Sequence, residues 1–79
     1  MRFELYDTVR LVRLLTPQRD ITGTEAALAQ PAVGDQGTIV DVPGDRYLVE
    51  DVTPDGGTRW LAEFEAAELD LVARPSSTG

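Results

Sequence analysis

Every hydrophobic run in this chain is short, and a glycine, a proline or an acidic residue soon interrupts it. Such runs do not sustain the period of a long amphipathic helix, whereas β-branched residues between turn formers read as strands. Residues 7–15 mix β-branched and charged side chains in partial alternation and predict a first strand, after a lead of Phe3, Leu5 and Tyr6. Gly34-Asp35-Gln36-Gly37 forms a turn with a bulge-prone glycine, and residues 38–42 follow as a second strand. Pro43-Gly44-Asp45 supplies a tight turn before a third strand over 46–52. Thr53-Pro54-Asp55-Gly56-Gly57 turns into a fourth strand over 58–64. Residues 65–68 are enough for a single helical turn, and 69–72 close as a fifth strand.

The connection over 16–34 has a different texture. Thr22-Gly23-Thr24-Glu25 matches a capping box, and Ala26-Ala27-Leu28-Ala29 favours helix until Pro31 pushes Gln30 away from it. A short helix is expected there, held only if Leu28 packs. Val9, Leu11, Ile39, Val49, Leu61 and Leu69 are the expected core. A bulge at Gly37 would shift the face presented by Val40 and Val42.

A long first loop, two tight hairpins, a one-turn helix and a closing strand make the element order of an all-β, five-stranded SH3-like barrel. Closure is also how so small a sheet hides its edges. The expected domain is a barrel over residues 1–73 with a disordered tail over 74–79, since nothing in that tail can be buried.

The ordered set Asp7-Thr8-Val9-Arg10-Leu11, Gly34 to Val40, Tyr47-Leu48-Val49-Glu50, Pro54-Asp55-Gly56 and Leu69-Asp70-Leu71-Val72 resembles a small bacterial family of SH3-like barrels catalogued as a domain of unknown function. The likeness spans roughly residues 3 to 72. It departs in the Ala-rich insertion at 24–32 and in Trp60-Leu61-Ala62-Glu63. It implies the fold and no activity. The glycine pattern is also similar, more weakly, to ribosomal and transcription-factor barrels and to the barrel in the β subunit of nitrile hydratases.

Absences narrow the chemistry. The 79 residues include no Cys, His or Lys, so disulfides, the ordinary zinc, haem and iron–sulfur ligand sets and the usual nucleophile–base pairs are excluded. Carboxylate pairs such as Asp41 with Asp45, or Glu65 with Glu68, need a cleft that raises one pKa, and a chain this small has little room for one. Asp51 and Asp55 are too few for a calcium loop. No catalytic residue, cofactor or metal is expected.

Charge is the informative quantity. The net charge is -7, yet residues 1–20 hold 3 acids and 4 Arg while residues 21–79 hold 11 acids and 3 Arg. Duplex or RNA binding needs clustered cations, so the acidic bulk opposes it, although Arg2, Arg10, Arg13 and Arg19 could form a local patch. Phe3-Glu4-Leu5-Tyr6-Asp7 echoes the signature of proline-rich-peptide binders, but too few aromatics follow to line their groove.

An acidic barrel associates readily with a basic partner. The expected function is a non-catalytic binding module of the inhibitor or immunity type, whose acidic face docks a basic protein such as a nuclease or toxin. The candidate contacts are Asp41, Asp45, Glu50, Glu63, Glu65 and Glu68, with Tyr47 and Trp60. The plain alternative is a solvated surface that keeps the chain soluble. A structural accessory domain, self-associating through Trp60, Tyr47 and Leu28, is the other, so the state expected is a monomer or weak homodimer. Met1-Arg2-Phe3-Glu4-Leu5 carries acid where a signal peptide needs an apolar run, and no stretch approaches a membrane span, so a cytoplasmic protein is expected.

Overall fold

The computed structural model describes residues 3–16 and 18–75. Five antiparallel strands form one sheet: β1 (Thr8–Leu11), β2 (Gln36–Asp41), β3 (Tyr47–Val52), β4 (Thr58–Phe64) and β5 (Leu69–Ala73). Among the described residues the helical structure is one 3-10 turn, Ala66–Glu68, directly before β5. The spatial order is β4-β3-β2-β1-β5, so the last strand returns beside the first. Among the described residues no helix is long and apolar enough to cross a membrane.

Turn chemistry fixes the hairpins. Between β2 and β3 the Arg46 N–H donates to the Pro43 carbonyl, and Gly44 takes φ +66° at the first central position, where a side chain would be strained. Between β3 and β4 the Gly56 N–H donates to the Thr53 carbonyl, and the Thr53 N–H to that of Gly57. The β2–β3 bulge lies beyond Gly37: Ile39 faces Val49 and Asp41 faces Leu48, which leaves Val40 unmatched. Gly37 is needed for a different reason. A Cβ there would lie 2.7 Å from both the Glu50 carbonyl oxygen and Val49 Cγ1.

Val9, Leu11, Ile39, Val49 and Leu69 are buried as expected, but Leu61 is only half-buried. The opposite parity of β4 faces inward instead, through Trp60, Ala62 and Phe64. Trp60 and Phe64 pack at 5.3 Å between ring centroids, and Phe3 meets Tyr47 edge to face at 5.4 Å. This aromatic volume explains how so short a chain fills a core.

The barrel is not closed. No ladder joins β4 to β5, so the sheet has two edges. The first loop lies along β4: Thr22 and Leu61 exchange both backbone hydrogen bonds, the Thr24 N–H donates to Thr58 and that of Ala29 to Arg59. On β5 the Asp70 carboxylate accepts the Leu71 N–H at 3.1 Å.

Docking of this loop also removes the expected helix. The Thr22 N–H, which a capping box would return to Glu25, is committed to Leu61, and one turn remains where the Ala27 N–H reaches Thr24. Leu28 stays 46% exposed. At the other end of the chain, the tail expected over 74–79 is engaged at its first residue. Arg74 Nε lies 3.4 Å from the buried Asp7 carboxylate, which also accepts the Glu4 N–H. Residues 76–79 lie outside the described ones.

Candidate functional site

The register of β2, β3 and β4 draws acids to one end of the sheet. Asp41 lies opposite Leu48, and Leu48 opposite Glu63, so two carboxylates flank a leucine in a single cross-strand row. Two strand spacings separate them, roughly 10 Å. Asp45 in the adjoining turn and Glu65 after β4 share a small depression with Arg46 and Ala66. Asp41, Asp45, Glu63 and Glu65 are all exposed. Glu50 belongs to the same outer face but is half-buried, and it accepts the Thr58 hydroxyl at 2.8 Å.

Three expected contact residues cannot present themselves to a partner. Tyr47 is 7% exposed, Trp60 0% and Glu68 2%. Tyr47 and Trp60 fall on the inward parity of their strands, and the Trp60 indole N–H donates to Asp35 Oδ2 at 3.2 Å. Glu68 is buried because four donors converge on it. Arg19 offers both terminal guanidinium nitrogens, Nη1 and Nη2, and the Leu15 and Glu65 N–H groups each donate at 2.9 Å. The same guanidinium reaches the Glu63 and Thr16 carbonyls and stacks 4.2 Å from the centroid of the Phe64 ring.

Burial pushes the Glu68 carboxyl up, but the Arg19 hydrogen bonds, the two backbone N–H groups and the Arg19 charge together outweigh it and hold the pKa below its ordinary 4.5. Glu68 paired with Arg19 is therefore a structural clamp on the first loop, with no free carboxylate at Glu68 for acid–base work beside Glu65.

A second carboxylate group gave no local signal in the sequence. Asp51, on the inward parity of β3, and Asp35, before β2, both approach Arg59, at 3.3 Å and 3.9 Å. Asp51 is raised above its ordinary 3.8 by burial; Arg59 opposes the rise and Asp35 adds to it. Asp55 is turned toward its own loop, lowered by the Thr53 hydroxyl and the Gly57 N–H. Asp51 and Asp55 therefore serve separate structures. Among the described residues no group of three or more carboxylates is placed to hold a metal ion.

Beside the acidic end runs a groove of about 390 Å³, between the first loop and the outer face of β3 and β4. Ile21, Leu48 and Leu61 give it apolar walls, and Asp20, Arg46 and Glu63 its charged rim. No family model, curated protein or solved structure matches this chain. The acidic end and the groove are thus what the chain itself offers for a functional reading.

Proposed function

We propose that this chain is a non-catalytic binding module of the cytoplasm whose acidic end docks a basic protein, in the manner of an inhibitor or immunity-type protein that covers a nuclease or toxin. The observation that carries the reading is the gathering of Asp41, Asp45, Glu63 and Glu65 at one end, exposed, with Arg46 as the cation among them. Such an arrangement speeds encounter with a basic surface and penalises an acidic one.

The test is capture from the native host at low and high salt, with the wild-type chain and an Asp41→Lys, Asp45→Lys, Glu63→Lys variant as baits. A basic partner held by the wild type at low salt, released at high salt and missed by the variant is the expected result. A partner held equally by both baits would refute the charge-driven reading. The self-associating alternative has lost Tyr47 and Trp60 to the core, leaving Leu28 of its three interface residues. Size analysis at micromolar concentration tests it, and a concentration-dependent dimer would restore it.

A further inference from the structure

We infer that the groove beside the acidic end receives a short basic segment of the partner, with one aliphatic side chain seated over Leu48 and Leu61 and neighbouring Lys or Arg side chains reaching Asp20 and Glu63. This rests on the docking reading above and adds to it the chemistry of the segment and the place where it sits.

The floor comes from strand register. Glu63 is directly opposite Leu48, so Leu61, two residues earlier on β4, is the diagonal neighbour of Leu48 on the same outer face. The wall comes from the first loop, because the Thr22–Leu61 bridge brings Ile21 alongside β4. Half-buried aliphatic side chains therefore meet at a concave surface of about 390 Å³, within the range of sites that enclose small groups. No aromatic ring lines it, which disfavours a proline-rich occupant, since those dock against aromatic grooves.

The rim decides the sign of the occupant. The Arg19 guanidinium at one margin is consumed by Glu68, the carbonyl oxygens and Phe64. Arg46 is the one rim cation whose side chain makes no hydrogen bond or ion pair among the described residues. The carboxylates of Asp20 and Glu63 are likewise uncommitted, and Asp41 stands next to Leu48 in the cross-strand row. Acid therefore exceeds available base around an aliphatic floor. An aliphatic centre inside a charged rim is the anatomy of a docking hot spot, and complementarity assigns the partner's rim positive charge.

The experiment pans a library of short random peptides against the full chain, then measures the enriched peptides by fluorescence anisotropy and by backbone amide shifts, with oligolysine alongside. Enriched sequences should carry Leu, Ile or Val within three positions of Lys or Arg and shift amides of residues 20–22, 46–48 and 61–63. Leu48→Ser should weaken binding several-fold. Arg46→Glu, at an exposed position, should tighten a basic peptide about 2- to 5-fold, the scale of one exposed charge pair. Acidic enriched peptides, weakening by Arg46→Glu, or shifts away from the groove would overturn the inference. If oligolysine then still binds at the acidic end, the docking reading survives without the groove. Absence of binding by any peptide and by oligolysine at low salt overturns both.

Discussion

Glu68→Gln tests the clamp that holds the first loop. The amide is nearly isosteric, but one of its ends becomes a donor. Oε1 faces Arg19 and the Glu65 N–H, and Oε2 faces Arg19 and the Leu15 N–H, so in either orientation the new NH2 group meets two donors. Two hydrogen bonds to a buried charged group are lost, at about 1.5 to 3 kcal/mol each. Breaking a buried ion pair from one side carries a similar total, about 3 to 5 kcal/mol. We therefore expect a loss of about 3 kcal/mol from a chain whose whole stability, at 0.05 to 0.15 kcal/mol per residue, is about 4 to 12 kcal/mol. In a domain of this size that lowers Tm by about 12 to 24 °C. Urea unfolding followed by the emission of Trp60, the single tryptophan, measures it. The pH dependence gives a second reading. Because the folded chain holds this carboxyl below 4.5, its contribution is complete above that pH and drains away as pH falls through the folded-state value; the Gln variant lacks that slope. Arg19→Met supplies the cycle, with a coupling of at least about 1 kcal/mol between the two positions. A cost below about 1 kcal/mol for Glu68→Gln, or additivity with Arg19→Met, would refute the clamp.

Asp51 titrates in the opposite sense. With its folded-state pKa raised above 3.8, its ionisation costs stability as pH climbs from 3.8 through the folded-state value, so Asp51→Asn should gain on the wild type as pH rises to 7 and lose that relative gain at low pH. A stability difference that does not change with pH contradicts this. Gly37→Ala should cost about 2 to 3 kcal/mol, because its Cβ meets the Glu50 carbonyl and Val49, whereas Gly34→Ala, in open space at φ +99°, should cost about 1 to 2 kcal/mol in backbone strain. Thermal unfolding of both variants settles the order, and equal losses would contradict it. Tyr6→Gly should leave Tm unchanged or raise it, since Tyr6 is 63% exposed and holds φ +71°; a loss of more than about 1.5 kcal/mol would mean that its ring packs.

The strands and their turns were legible because each β-branched run is bracketed by residues with a backbone reason to turn, and 58–64 matches its strand end to end. Parity was harder. β4 carries Leu61 on one face and Trp60, Ala62 and Phe64 on the other, and the choice rests on the cross-strand register, which pairs Ala62 with the buried Val49 and Leu61 with the outer-face Glu50 and which no local pattern announces. Glu68 read as a surface acid because its partner stands 49 residues earlier in the chain. The apparent capping box at Thr22 had the right residues for a helix, but its backbone was claimed by β4. Of the candidate contacts, those in turns and at strand ends were placed correctly on the surface by local chemistry alone. Tyr47, Trp60 and Glu68 depend on long-range packing and were not.

The loop that lies along β4 gives the molecule a kinetic property as well as a boundary. It is tied by a few backbone bonds and the Arg19 clamp, with Leu28 left half in water, so it is suited to open as a unit before the sheet does. Amide exchange at Leu61, Thr24 and Ala29 should then share one opening free energy, below that of Val49. Each opening strips the cover from β4, and the exposed row of N–H and C=O groups becomes a template for another chain. Weakening Arg19 or Glu68 would consequently show itself in concentrated solution as aggregation at temperatures where the sheet is still intact.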